Sequence, residues 1–156
     1  MVNIVDLKKA PEHLSILANW HQREWGHLYP GRSLKDRVEK MSAYLNDDLI
    51  PSTFVAFEGE VKGSAAIVES DMETRTNLSP WLASVFVKSD FRKKGIGSAL
   101  VRYVMKAAKK ADIKELYLFT EHNELFYKRL GWIVFENILY HNQPVTIMKV
   151  NLMSNE

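Results

Sequence analysis

The chain contains no cysteine. That excludes a structural disulfide, a thiolate nucleophile and any cysteine-ligated zinc site, and it fits a reducing compartment. No segment approaches the roughly 20 apolar residues needed to cross a bilayer. The opening stretch MVNIVDLKKA lacks the apolar run of a signal peptide, so a cytoplasmic location is expected. A surplus of charge is missing too: 21 Lys and Arg face 19 Asp and Glu, for a formal net charge of +2. Acids dilute the bases throughout, so neither a dense basic face nor a nucleic-acid partner is expected. The five histidines show no HxxxH or HExxH spacing, and no metal site is expected. A G-x-S-x-G nucleophile elbow is absent, as are internal repeats, low-complexity tracts and linkers.

What is present is an ordinary globular composition, 46% hydrophobic and 26% charged in 156 residues. One domain over 1–152 with a short tail at 153–156 is expected. Val2 to Leu7 reads as a strand. Pro11 and Glu12 suit a first helical turn, and Leu14, Leu17, Ala18 and His21 continue at helical spacing to about Trp25. After the loop GHLYPGR, Ser33 is a plausible N-cap for a helix carrying Leu34, Val38, Met41 and Leu45, ended by Pro51. Strands follow at Thr53 to Phe57 and Val61 to Glu69 around Glu58-Gly59-Glu60. A polar loop, Asp71 to Pro80, leads into the apolar run Trp81 to Val87. An amphipathic helix is marked by Ile96, Ala99, Leu100, Tyr103, Val104, Ala107 and Ala108. Leu116 to Phe119 reads as a strand and Asn123 to Leu130 as a helix stopped by Gly131. Trp132 to Tyr140 and Val145 to Val150 end the chain as strands. The order implies an α/β (α+β) fold: one mixed, mostly antiparallel sheet of about seven strands with helices on its faces.

Between the apolar strand and the amphipathic helix stands DFRKKGIGSAL, Asp90 to Leu100. A helix N-terminus offers unpaired N–H groups and a partial positive charge. Gly95 and Gly97 permit close approach of an anion to the backbone, and Arg92, Lys93 and Lys94 add full charges. On the loop alone, a solvated basic turn and a pyrophosphate cradle are equally good readings. A P-loop is excluded because no Lys-Ser or Lys-Thr follows the glycines. A dinucleotide fingerprint is excluded because Leu100 replaces its third glycine and the turn is too long.

What remains, Arg92-x-x-Gly95-x-Gly97 after the strand SVFV (Ser84 to Val87), resembles the pyrophosphate signature of the GNAT N-acetyltransferase family. A second family element, a Tyr shortly before Leu-Gly-aromatic, matches FYKRLGW, Phe126 to Trp132. Element order matches over nearly the whole chain. The segments PWLASVFV, LYLFT, FYKRLGW and PVTIM resemble a bacterial subgroup of that family.

The resemblance implies transfer of an acetyl group from acetyl-coenzyme A (acetyl-CoA) to a primary amine, of a small molecule or a peptide N-terminus. With no cysteine, direct attack in a ternary complex is favoured over an acetyl-enzyme. The backbone of Val85, Phe86 and Val87 would pair with the pantetheine arm where the sheet splays. Arg92, Lys93, Lys94, Gly95, Ile96, Gly97 and Ser98 would hold the pyrophosphate, and an N–H near Phe86 or Val87 would polarise the thioester carbonyl. Phe126 joins the coenzyme-contacting set. Tyr127 takes the general-acid position, since an ordinary Tyr keeps its proton at neutral pH. Many members carry an Asn about seven residues before that Tyr; Asn123 lies four before it, which puts its contact with the coenzyme in question. The Glu base of some members is replaced by Phe119. Glu69 is therefore the first candidate base, with Asp71, Glu73 and His122 behind it. Trp25, Tyr29 and Trp81, with Glu24 as an anionic attraction, are candidates for a cation-binding acceptor pocket; Trp20 is read as core. A monomer or homodimer without metal is expected. The alternative from another class is a non-catalytic acyl-CoA-binding regulatory module, against which Tyr127 counts.

Overall fold

The computed structural model describes residues 2–153; the last three residues of the expected tail lie outside it. Its strands are β1 (Asn3–Asp6), β2 (Ser52–Phe57), β3 (Val61–Val68), β4 (Trp81–Val87), β5 (Glu115–Thr120), β6 (Ile133–Tyr140) and β7 (Gln143–Asn151). Its α-helices are α1 (Leu14–Trp25), α2 (Leu34–Ser42), α3 (Ile96–Lys110) and α4 (Glu124–Arg129). The strands form one sheet in the order β1-β2-β3-β4-β5-β7-β6. Every pairing is antiparallel except β4 with β5. The expected element order and mixed sheet are both present.

Period-two alternation in the central strands divides the core between two faces. Phe54 and Ala56 of β2 pack with Leu100, Val101 and Val104 of α3. Val55, between them, packs with Leu17 and Trp20 of α1 and Met41 of α2. Helices therefore cover both faces. In α3 the buried residues Ile96, Leu100, Val104 and Ala108 repeat every fourth position, one stripe of a helix, and Lys109 and Lys110 in its last turn complement the helix dipole.

α2 begins with a reciprocal capping box: the Asp36 N–H donates to Ser33 Oγ at 3.1 Å and the Ser33 N–H donates to Asp36 Oδ2 at 2.9 Å. It ends at Ser42, well before Pro51. The segment after it turns instead, with the Asp48 N–H donating to Asn46 Oδ1 at 2.8 Å. A short Asn-Asp-Asp run competes successfully with helix propagation by such local bonds. At the other end of the chain, His141 and Asn142 both take positive φ, 49° and 66°. This makes a two-residue hairpin turn that starts β7 two residues before the expected Val145.

Candidate active site

β4 and β5 run parallel but are registered only at Trp81 and Tyr117. The Tyr117 N–H donates to the Pro80 carbonyl at 3.0 Å, and beyond that point the strands diverge. The other edge of β4 stays paired with β3 through Gly63–Val87, Ser64–Phe86 and Ala66–Ala83. The register slips between Ser64 and Ala66, opposite Ser84, whose φ is 53°. A non-glycine residue in this region marks a bulge, which bends a strand and sharpens its twist. Among the described residues, 84–87 consequently have no strand partner on the β5 side. The expected splay beside Val85, Phe86 and Val87 is present.

The loop at the end of β4 is fixed by its own residues. Arg92 Nε donates to the Val87 carbonyl at 2.8 Å, and its guanidinium lies 5.7 Å from the Phe86 ring. Lys93 and Gly95 adopt left-handed φ values of 64° and 82°. Alternation of this kind turns successive N–H groups into a concave anion nest. Gly95 precedes α3 without a side-chain cap, so the first-turn N–H groups of Ile96, Gly97 and Ser98 face outward unpaired among the described residues. Ile96 is buried and offers only its backbone; Lys93 and Lys94 are exposed. A Cβ on Gly97 would stand 3.4 Å from Phe126 and 3.6 Å from Val87, so these three residues form one surface. The donor row suits a pyrophosphate, and the free edge suits an extended arm carrying amide groups.

Behind the splay lies a cavity of about 150 Å³. Ser84 and Val85 of β4, Leu118 to Thr120 of β5, Tyr127 of α4 and residues of α1 and α2 line it. α4 thus sets Phe126 against Gly97 and the next residue, Tyr127, on the cavity. Tyr127 is 7% exposed and packs edge-on against Phe126 and Trp132. Desolvation by burial drives its pKa well above the ordinary phenol range, so it stays protonated. Asn123 is exposed and lines the cavity; its N–H donates to Thr120 Oγ1 at 3.0 Å and its carbonyl accepts the Tyr127 N–H at 3.2 Å.

The structure redistributes the acceptor-side candidates. Glu69 is exposed, one residue past β3, and does not line the cavity. Asp71, two residues on, does, and burial pushes its carboxyl up to about 7 against the pull of Lys40 and Arg37. Fully buried Met72 and buried Leu78 pin the loop that carries it. Glu73 is exposed and bonded to Arg32 and His141 at 2.9 and 2.8 Å. His122 and Glu24 are exposed on the cavity lining, and Trp25 and Tyr29 are half-buried there. Trp81 is not on the cavity: it is fully buried, donates Nε1 to the Leu78 carbonyl at 2.6 Å and packs against Tyr117 and Phe119. Trp20 is core, packed on Phe86. The face of Tyr29 is occupied by the protein's own Arg32, 4.4 Å from the ring centroid.

Sequence reasoning passed over His21, Arg37 and Lys40. His21 lines the cavity, is 1% exposed and shares a 2.9 Å hydrogen bond with Ser64 Oγ. Burial, aided by the nearby Arg37 charge, lowers its pKa to about 3, so the ring is neutral. Its place in the heptad-like spacing of α1 was legible; its polar partner across the sheet was not.

The sequence model of the acetyltransferase (GNAT) domain matches residues 51–134, more than half of the chain and the whole splay, loop and Tyr127 region. The chain belongs to the GNAT family. It is an acetyl-CoA-dependent acetyltransferase, and acetyl-CoA is its cosubstrate. Among curated protein sequences none matches. The GNAT fold recurs in solved structures. An aminoglycoside 6'-N-acetyltransferase complexed with coenzyme A superposes with a TM-score of 0.78 at 19% identity, covering 99% of both chains. An aminoglycoside 6'-acetyltransferase of type Ii gives 0.76 at 20%, again covering 99% of both. An N-acetyltransferase from Staphylococcus aureus Mu50 gives 0.75 at 18%, covering 97% of this chain and 99% of that one. Identities this low carry the fold alone. Among the described residues no helix is long and apolar enough to cross a membrane, and no group of three or more metal-binding side chains occurs.

Proposed function

We propose that this GNAT enzyme is an N-acetyltransferase that moves the acetyl group directly to a primary amine in a ternary complex. The observation that carries the reading is the continuity of three features: the unpaired edge of 84–87, the N–H nest ending at Ser98, and a cavity meeting both at Val85 and Tyr127. Val85, Phe86 and Val87 bind the pantetheine arm as an added strand, and the backbone from Arg92 to Ser98 binds the pyrophosphate. Arg92 serves mainly to shape that loop, its Nε being bonded to Val87. Phe126 supports Gly97 from the side. Asn123 starts the turn that delivers Tyr127.

An N–H of the freed β4 edge polarises the thioester carbonyl, a preorganised dipole in a water-poor site. An ammonium must lose its proton before attack. In place of Glu69, Asp71 receives that proton, directly or along water, because its pKa of about 7 suits a base near neutrality. Tyr127 protonates the departing thiolate. The coenzyme-binding module without catalysis lacks support from any feature of the cavity, which holds both a proton donor and an acceptor.

The test is thiol release from acetyl-CoA against a panel of primary amines, with double-reciprocal kinetics on the best acceptor. Intersecting lines are expected. Parallel lines would sink direct transfer, and coenzyme binding without thiol release for any amine would sink the catalytic reading.

A further inference from the structure

The cavity is lined by four acids and three bases, and their internal partners decide which charges are free. Asp36 is engaged in the capping box of α2, and Glu121 is held by His27 Nε2 at 2.9 Å. Glu24 is exposed. Arg32 is paired with Glu73 at 2.9 Å and stacked on Tyr29. Arg37 and Lys40 are different. Arg37 Nε donates to the neutral amide of Gln22 at 2.9 Å, and among the described residues neither side chain has a carboxylate within ion-pair distance. They lie three apart on α2, so they share one helix face. Lys40 is exposed overall, yet enough of the fold surrounds it, as it does Arg37, for desolvation to lower the pKa of both. Three acids stand near them: Asp36 is engaged in its capping box, Glu73 is held by Arg32 and His141, and Asp71, with its carboxyl pushed up by burial, offsets only part of one charge.

Resting on the N-acetyltransferase reading above, we propose that Arg37 and Lys40 bind a carboxylate of the acceptor, so that the substrate is an amine that also carries a carboxylate. A guanidinium fork and an ammonium on one face match the two oxygens of such a group. The same charges disfavour a polycationic amine at this end of the cavity. One aromatic face that would attract a cation, that of Tyr29, is occupied by Arg32. The carboxylate can belong to a free amino acid or to an acidic side chain at a peptide N-terminus; the chemistry is shared.

The experiment compares kcat/KM for matched acceptors: leucine, leucinamide and 3-methylbutylamine; the peptide amides Asp-Leu-NH₂ and Asn-Leu-NH₂; and spermine. Acetyl-CoA affinity is measured in parallel by calorimetry. A charged hydrogen bond of this kind corresponds to a preference of about 10- to 100-fold for the carboxylate member of at least one set, leucine pointing to free amino acids and Asp-Leu-NH₂ to peptides. In Lys40→Gln and Arg37→Gln that ratio collapses toward one while acetyl-CoA still binds. The proposal is overturned if in neither set the carboxylate member outpaces its amide, if 3-methylbutylamine or spermine reacts as well as the preferred carboxylate, or if both variants leave the ratio unmoved. Loss of acetyl-CoA binding by the unmodified protein would instead overturn the N-acetyltransferase reading itself.

Discussion

Gly63 and Phe86 approach so closely across β3 and β4 that a Cβ on Gly63 would stand 2.5 Å from the Phe86 carbonyl oxygen. No side chain can share that space with backbone. Gly63→Ala must therefore displace the end of β4 that carries the free edge. A loss of about 1–3 kcal/mol of stability is expected, as for overpacked cores, together with weaker acetyl-CoA binding. Gly31→Ala is the control, because nothing stands within 4 Å of its Cβ position. Denaturant titration and calorimetry of the two variants check this; equal behaviour would refute it.

Tyr127→Phe removes a proton donor while keeping the ring contacts with Phe126 and Trp132. Turnover should fall by roughly 10²- to 10⁴-fold with little change in acetyl-CoA affinity. Single-turnover acetyl transfer at the unmodified rate would remove Tyr127 from the acid role.

In the loop, backbone geometry is expected to outweigh charge. Gly97→Glu sets a bulky anion on the surface shared with Phe126 and Val87 and should abolish acetyl-CoA binding. Exposed Lys93→Ala should weaken it by no more than about fivefold, the scale of a solvent-exposed charge. Equal losses in calorimetry would mean that the cations, not the N–H groups, hold the phosphates.

His21 and Asp71 oppose one another in the pH dependence of stability. Asp71 has its pKa raised from 3.8 to about 7, so between those values the folded state holds a proton the unfolded chain has lost, and stability falls as pH rises. His21 has its pKa lowered from 6.5 to about 3, so the unfolded chain holds the extra proton and stability rises with pH. Between about pH 5 and 6.5, above the range of the lowered carboxylates Asp36, Glu124 and Glu136, the two slopes cancel. Asp71→Asn should unmask a rising slope and His21→Gln a falling one, each up to about 1.4 kcal/mol per pH unit. Flat profiles in both variants, from urea titrations across the window, would contradict the pairing.

The parts of the candidate site that depend on local order were legible in the sequence. Arg92, Gly95 and Gly97 sit at fixed offsets from a helix start, and Phe126 to Trp132 carry their spacing with them. Seven strands were readable from short apolar runs and the turn signals between them, and β4 was placed to the residue. The acceptor side was not readable in the same way. Glu69 and Asp71 are two residues apart at a strand end, and only the buried anchors Met72 and Leu78 decide which one reaches the cavity. Trp81 looked like a pocket wall because composition cannot say which face of a strand turns inward; its N–H is spent on Leu78. Arg37 and Lys40 carry no signal in the sequence, and only the packing of α2 on the sheet brings them to the cavity.

The gap between β4 and β5 makes the native state unfinished on its own terms. A pantetheine arm seated along 84–87 would supply the missing hydrogen-bond partners, and the folded chain would bind it while the unfolded chain would not. Stability then becomes a readout of cosubstrate supply, rising by about 2.7 kcal/mol when free acetyl-CoA reaches a hundredfold excess over its Kd. On the proposed binding mode, the opening beside Ser84 would thereby couple the enzyme's stability to how much acetyl donor is at hand.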